Sequence, residues 1–558
     1  LSIQTWDDIA PFFEQLVERE IHDKEELKAF LLDVSELEAV LEEDAAWRYI
    51  KMTIDTTDEE RVKAYQTFVA EIQPKIAPMA DQIDKKICNH PLASELKGEA
   101  YAIYLKKLKK SIDMFREKNV ELRAQIQNRT QEYGAINGGL NVEIDEEQKT
   151  LQQAGALLQS PDRNLRKEVF DKIHSCRSEV SDKLNALFSD LVGLRNHLAK
   201  NADYPNFRDY KFDALARFDY TKEDCFDFHE SIAGEIVPLI AEFKKARKER
   251  MGLESLKPWD LAVDPEGREA LKPFKDVKTL VSKSIEVFTK VLPEFGEYLD
   301  TMDRMGHLDL ESKKGKAPGG YNYPLYEIGV PFIFMNAVGT QRDLVTMMHE
   351  GGHAVHSFLN RQLELSAFKS CPSEVAELAS MSMELLSMDH WDIFYSNPEE
   401  LKRAKMDHLE DILSVLPWIA IIDAFQHWIY THPAHSFAER TNAWEEILNK
   451  FDDGFTDWSG CEEARKISWQ KQLHLFEVPF YYIEYGMAQL GAIMVYRAYR
   501  ENSEKAIQDY RNALELGYTK SIGKIYETAG IRFDFSRENV RELAAFVRKE
   551  IEIIKNQA

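Results

Sequence analysis

The strongest constraint on this chain is a helical hydrophobic period that recurs over most of its length. Residues 7–50 place Phe12, Phe13, Leu16, Val17 and Ile21, then Phe30, Leu31 and Val34, at three- and four-residue spacing among charges. That period lines apolar side chains along one face of a helix. The same spacing predicts one long amphipathic helix over 99–132, with Tyr101, Tyr104, Leu105, Leu108, Ile112 and Phe115 inward. Ser160-Pro161-Asp162 predicts a further helix start, with Ser160 as cap and Pro161 at the first helical position. Ser536 predicts another, ahead of Val540, Leu543 and Phe546. Strand signals are confined to residues 138–144 and to an island over 306–340. In that island Leu308 and Leu310 alternate, and Gly315, Pro318, Gly319 and Gly320 mark turns. The apolar stretch 331–336 then runs into Gly339-Thr340, where the next helix opens. The expected fold class is mainly α, interrupted by a small β-sheet just before the most histidine-rich helix. A soft boundary near Lys200-Asn201 divides an N-terminal helical domain, 1–200, from a larger helical domain, 201–558.

Composition excludes several function classes. The 30 Phe, 22 Tyr and 9 Trp among 558 residues supply the apolar area that a large ordered core requires. A formal charge of −25 repels nucleic-acid backbones and anionic lipid surfaces, so neither nucleic acid nor membrane is an expected partner. The longest apolar run, 412–422, contains Pro417 and is too short to cross a bilayer. The five cysteines are scattered and form no C-x-x-C pair, which argues against both a disulfide framework and a cysteine-based zinc site. No basic segment followed by an apolar one opens the sequence. The expectation is a soluble, cytoplasmic protein.

His349-Glu350-Gly351-Gly352-His353 fits H-E-x-x-H. On a helix, residues four apart share a face, so both imidazoles can reach one metal ion while Glu350 projects beside it. That is the position of a base that takes a proton from metal-bound water. A catalytic zinc site needs a third protein ligand and one open position. Downstream, the helical segment 373–384 carries Glu374, Glu377 and Glu384 on one face among small and apolar residues. Any of the three can close the site, and the others can orient the imidazole rings. Spacing alone does not choose between Glu374 and Glu377.

Extended to His349-Glu350-Gly351-Gly352-His353-Ala354-Val355-His356, the motif resembles the H-E-x-G-H-x-x-H signature of the oligoendopeptidase F and thimet oligopeptidase family of zinc metallopeptidases. In that family the third ligand is a Glu in a segment similar to Val375-Ala376-Glu377-Leu378-Ala379-Ser380, so the resemblance selects Glu377. It leaves Glu374 and Glu384, with His356, as supporting groups around one Zn2+ per chain. Residues 160–166 and Leu514-Glu515-Leu516-Gly517 also look like family segments, so the likeness covers residues 130–545. The resemblance implies an almost wholly helical, two-lobed fold with a deep central channel, zinc at its floor, and flexible peptides as substrates. The stretch 331–336 is similar to the family's edge strand, which implies that Phe332, Phe334 and Asn336 pair with an extended peptide.

A second cluster follows at His474 and the segment Pro479–Gly486, in which Tyr481 and Tyr485 stand one turn apart. Tyrosines at helical spacing ordinarily belong to a core. The family resemblance instead gives them, with His474, contact with substrate and transition state, where phenol donors stabilise the oxyanion. Tyr482 is expected to face elsewhere, and His307 and His427 are read as core or surface. The expected activity is zinc-dependent endopeptidase cleavage of short peptides, with Glu350 as general base. A zinc exopeptidase and a non-catalytic helical peptide-binding protein are the competing readings.

Overall fold

The computed structural model describes residues 2–557. The chain is mainly α, with a two-stranded hairpin and a separate three-stranded sheet among the described residues. The hairpin pairs β1 (Asn141–Ile144) with β2 (Glu147–Thr150). The second sheet consists of β3 (Leu308–Glu311), β4 (Tyr321–Tyr323) and β5 (Phe332–Ala337) in the order β3-β5-β4. β5 runs parallel to β3 and antiparallel to β4.

That order corrects the expectation that Phe332, Phe334 and Asn336 offer an open strand edge. β5 is the central strand, with ladders on both sides, and Phe332 and Phe334 are buried. Asn336 turns its amide to the carbonyls of Ala317 and Gly319, at 2.8 and 2.9 Å. Four consecutive apolar residues, Phe332 to Met335, are the pattern of a strand covered on both faces. The edge beside the candidate site belongs to β4.

Two helix boundaries also differ from the sequence expectation. The stretch 99–132 forms two helices, Glu99–Met114 and Lys118–Gly138, because Phe115 turns extended. Arg116 secures the break, donating to the carbonyls of Asp113 and Phe115 and pairing with Asp203. The helix Arg163–Asn201 is capped by Asp162, not Ser160: the Asp162 carboxylate accepts from the backbone N–H groups of Asn164 and Leu165. Helix Pro398–Thr431 continues through Pro417. It is long and apolar enough to cross a membrane by length and composition, but 72% of its apolar window is buried inside the protein. A mostly buried apolar helix is the core of this fold.

The main core gathers apolar side chains from Met114 through Ile554. A second cluster, from Ile3 to Tyr104, packs against Leu365 and Phe368, just after the histidine-bearing helix. Three helices then form the floor of the site: Gln341–Asn360, Ser373–Ser387 and Tyr482–Glu501. The first opens from β5 through Gly339, whose φ of +97° only glycine adopts readily. Thr340 and Asp343 cap it reciprocally.

Candidate metal centre

Helix Gln341–Asn360 presents His349 and His353 on one face, and helix Ser373–Ser387 presents Glu377 to them. The two helices approach closely because Gly352 faces the acidic helix without a side chain. A Cβ at Gly352 would lie 2.7 Å from Cα of Ser380 and 2.9 Å from the Ala379 carbonyl oxygen. At Gly351 it would meet the Phe288 ring at 2.4 Å. Glycine at 352 lets the acidic helix settle against the histidines, and glycine at 351 makes room for Phe288 of helix Val277–Val291.

His349 Nε2 is 3.3 Å and His353 Nε2 is 3.5 Å from Glu377 Oε2. The three donor atoms lie within 4.8 Å of one another. The donor set fits a metal. One carboxylate and two imidazole nitrogens, converging in a nearly buried site, are ligands for a borderline divalent cation and too few oxygens for calcium or magnesium. His349 Nδ1 donates to Glu384 Oε1 at 2.6 Å, which leaves its Nε2 lone pair directed at the site. His408, which the sequence did not single out, stands 3.5 Å from the other Glu384 oxygen.

The charges of the cluster interlock. Burial would raise the Glu377 carboxyl, yet the imidazoles of His353 and His349 hold it far below the usual carboxylate range. Burial would lower His349, but its contacts with Glu377 and Glu384 raise it well above an ordinary histidine. Burial raises the Glu350 carboxyl, opposed by His349 and His353. Glu350 is buried on the same helix, and its backbone carbonyl accepts from Asn322 of β4 at 3.4 Å.

The aromatic cluster stands on the other side. Tyr481 donates its hydroxyl hydrogen to Glu377 Oε1 at 3.0 Å, and its ring lies 5.3 Å from that of Tyr485. His474 completes the group, with ring centroids 6.1 Å from Tyr481 and 5.8 Å from Tyr485. Burial lowers His474 to about 4, so it is neutral near neutral pH. Gln472 lies 2.6 Å from its Nδ1 and donates to it, so Nε2 carries the ring hydrogen. Tyr482 does not face elsewhere: its ring is 4.6 Å from His474, in the same cluster. Pro479 does not begin the helix either. Phe480 takes φ +67°, and the helix starts at Tyr482. That left-handed residue is held by Gln426, which accepts from its N–H at 2.6 Å, and by Arg217, which donates to its carbonyl.

Two expected supporting groups lie apart from the donors. His356 is buried with Nε2 3.4 Å from Cys371 Sγ and hydrogen-bonds none of the three. Glu374 accepts from Tyr220 and belongs to a separate buried network in which Arg217 pairs with Glu484 at 2.7 Å. The two helices cross where Gly352 meets Ala379, Ser380 and Met383, a point nearer Glu377 than Glu374 along the acidic helix.

A cavity of about 440 Å3 is lined by Tyr49, Tyr65, Gln73, Tyr321, Tyr323 and Asn322, the last of which donates to the Glu350 carbonyl. It lies between the N-terminal helices and β4. The sequence reading missed this tyrosine wall, because its members come from segments more than 250 residues apart.

Residues 156–545 match the model of Peptidase family M3, and residues 2–115 match the Peptidase M3 N-terminal domain. The chain is 22% identical over 507 residues to the oligoendopeptidase F homolog of Borreliella burgdorferi, covering 86% of this chain and 82% of that protein. It is 22% identical over 385 residues to oligopeptidase PepF of Bacillus subtilis, covering 67% of this chain and 55% of that protein. Among solved structures it resembles PZ peptidase A with inhibitor 2, at a TM-score of 0.94 and 27% identity over 100% of this chain and 99% of that one. On the family match across most of its length, the chain belongs to Peptidase family M3 and is a metalloendopeptidase.

Proposed function

We propose that the protein is a zinc-dependent oligoendopeptidase that cuts internal bonds of short, unstructured peptides. The observation that carries this reading is the convergence of His349, His353 and Glu377 beside the Glu350 carboxyl. These three side chains would hold one zinc ion per chain, with Glu384 fixing the His349 ring. When bound, zinc would supply Lewis acidity that acidifies water and polarises the scissile carbonyl.

The chain's own residues do the rest. Glu350 takes the proton of the attacking water and returns it to the departing amine. Its burial favours the first of these transfers, because a carboxyl raised above its ordinary value takes up a proton more readily. Tyr481, Tyr485 and the Nε2–H of His474 are donors for the carbonyl oxygen as it gains charge. The free edge of β4, beside the tyrosine-lined cavity, accepts peptide backbone by strand addition, which makes recognition tolerant of sequence. The five unpaired cysteines suit a reducing, cytoplasmic setting.

The test is a quenched peptide blocked at both ends, assayed with metal content before and after chelation. Cleavage that disappears on chelation and returns with zinc is the expected result. A requirement for a free terminus would reassign the protein as an exopeptidase. Binding without turnover would make it a peptide-binding protein.

A further inference from the structure

A second set of donor side chains lies buried between two other helices, away from the residues assigned to peptide hydrolysis. Helix Lys222–Ser231 carries Cys225 and His229, and helix Pro398–Thr431 carries Asp423 and His427. Each pair is four residues apart, so both members project from one helical face. Cys225 Sγ, an oxygen of Asp423 and a ring nitrogen of His427 lie within 4.8 Å of one another. His229 Nε2 stands 2.8 Å from Asp423 Oδ2. All four side chains are buried.

Three polar atoms here are left over. Asp423 Oδ1 and both ring nitrogens of His427 are buried without a hydrogen-bond partner. His427 Nε2 approaches Asp423 Oδ2 to 3.2 Å, but not in hydrogen-bond geometry. Buried polar groups without partners are costly, and here they belong to two of the three clustered donor residues.

We propose that Cys225, Asp423 and His427 form a second metal site for one divalent cation of the zinc class, with His229 orienting the Asp423 carboxylate. A thiolate, an imidazole and a carboxylate select zinc or cobalt over magnesium and calcium, which take oxygen ligands. The spare Oδ1 of Asp423 faces the ion while Oδ2 remains bonded to His229, the arrangement that fixes a ligating carboxylate. Cys225 now donates its thiol to the Thr221 carbonyl at 3.4 Å. On binding, the sulfur–hydrogen bond breaks, a sulfur–metal bond forms and one proton leaves to solvent. Neutral His427 binds through a ring lone pair. A divalent ion with one thiolate and one carboxylate is then a neutral buried unit, which avoids the cost of an unpaired interior charge.

Phe226, 39% exposed, packs edge-on to the His427 ring at 4.8 Å between centroids. On the inner side, His427 packs 5.4 Å from Phe480, the left-handed residue immediately before Tyr481. Gln426, adjacent to His427, holds the Phe480 N–H. An ion at this site ties together the two helices that support the tyrosine turn.

The absence of a C-x-x-C pair led the sequence reading away from any cysteine ligand. The cysteine here is paired through space, with Asp and His from a helix two hundred residues later.

The experiment is a cobalt(II) titration of the chelated full-length protein. Two equivalents are expected to bind, one of them with a near-ultraviolet thiolate-to-cobalt band. No cysteine belongs to the His349, His353 and Glu377 set, so the band reports the second site alone. It should persist in the His349→Ala/His353→Ala double variant, which binds one equivalent. It should vanish in Cys225→Ser, which also binds one. A single equivalent without the band in the wild type overturns the proposal, as does a band that survives Cys225→Ser. Should Cys225→Ser not fold, the double variant decides: one band-bearing equivalent supports the site, and none overturns it.

Discussion

Gly352 and Ser380 are in near contact across the two helices of the metal centre: a Cβ on the first would stand 2.7 Å from Cα of the second. The obstacle is backbone, so the strain cannot be relieved by rotating a side chain. Gly352→Ala must push the acidic helix outward and carry Glu377 away from His349 and His353. Overpacking of this kind costs about 1–3 kcal/mol of stability. Zinc affinity should fall at least tenfold, measured by competition with a chromophoric chelator. Unchanged affinity in a folded Gly352→Ala protein would show that the close helix approach does not set the ligand geometry.

Glu350 is isosterically replaced by Gln without changing the three donors of the metal centre. Glu350→Gln should therefore retain zinc stoichiometry while losing the proton acceptor. A general base contributes typically 10²–10⁴-fold, so kcat should fall by about that factor with KM little altered. Steady-state kinetics on the doubly blocked peptide, paired with metal analysis, checks both halves. Near-normal turnover would remove Glu350 from the base role.

Glu384 touches the metal centre only through His349 Nδ1. In Glu384→Gln an oxygen acceptor remains but the charge that orients and polarises the ring is gone. Outer ligands of this type are worth about 10–100-fold in metal affinity. Zinc should dissociate more readily by that factor, and activity should return at saturating zinc. Activity that stays low at saturating zinc would place Glu384 in the reaction itself.

The helical class and the metal motif were legible because both follow from a local period. A 3.6-residue repeat fixes which side chains share a face, and His349, Glu350 and His353 are defined by it alone. The choice among Glu374, Glu377 and Glu384 depends on where two helices cross, which Gly352 controls through contacts with Ser380 and Ala379. Periodicity carries no such information, and only the family resemblance selected Glu377. Strand order is likewise non-local, although the unbroken apolar run from Phe332 to Met335 was a local sign of a central strand. Phe480 was illegible for a different reason. Its left-handed backbone is held by Gln426, from a helix, and Arg217, from a loop, both distant in sequence.

Asp260 has no solvent exposure and is gripped by Arg163 at 2.8 Å and by the buried Arg166 at 2.9 Å. Burial would raise its carboxyl, but Arg163, the Lys257 N–H and Arg166 together hold it below its ordinary value. A carboxylate depressed in the folded state contributes stability above its unfolded pKa of about 3.9, and loses it as pH falls through the folded value. Arg166→Met removes one partner and leaves part of a buried charge uncompensated, a change of about 3–5 kcal/mol for an isolated pair. Because Arg163 still donates to both carboxylate oxygens, the loss should be at the lower end, about 3 kcal/mol near neutral pH. The gap between wild type and variant should then narrow on acidification below pH of about 4, as protonation removes the charge that Arg166 had paired. Urea unfolding of both proteins across that range measures it. A gap independent of pH would mean that Arg166 stabilises the fold by packing and by its bonds to the Trp259, Ser160 and Pro161 carbonyls, not through the charge of Asp260.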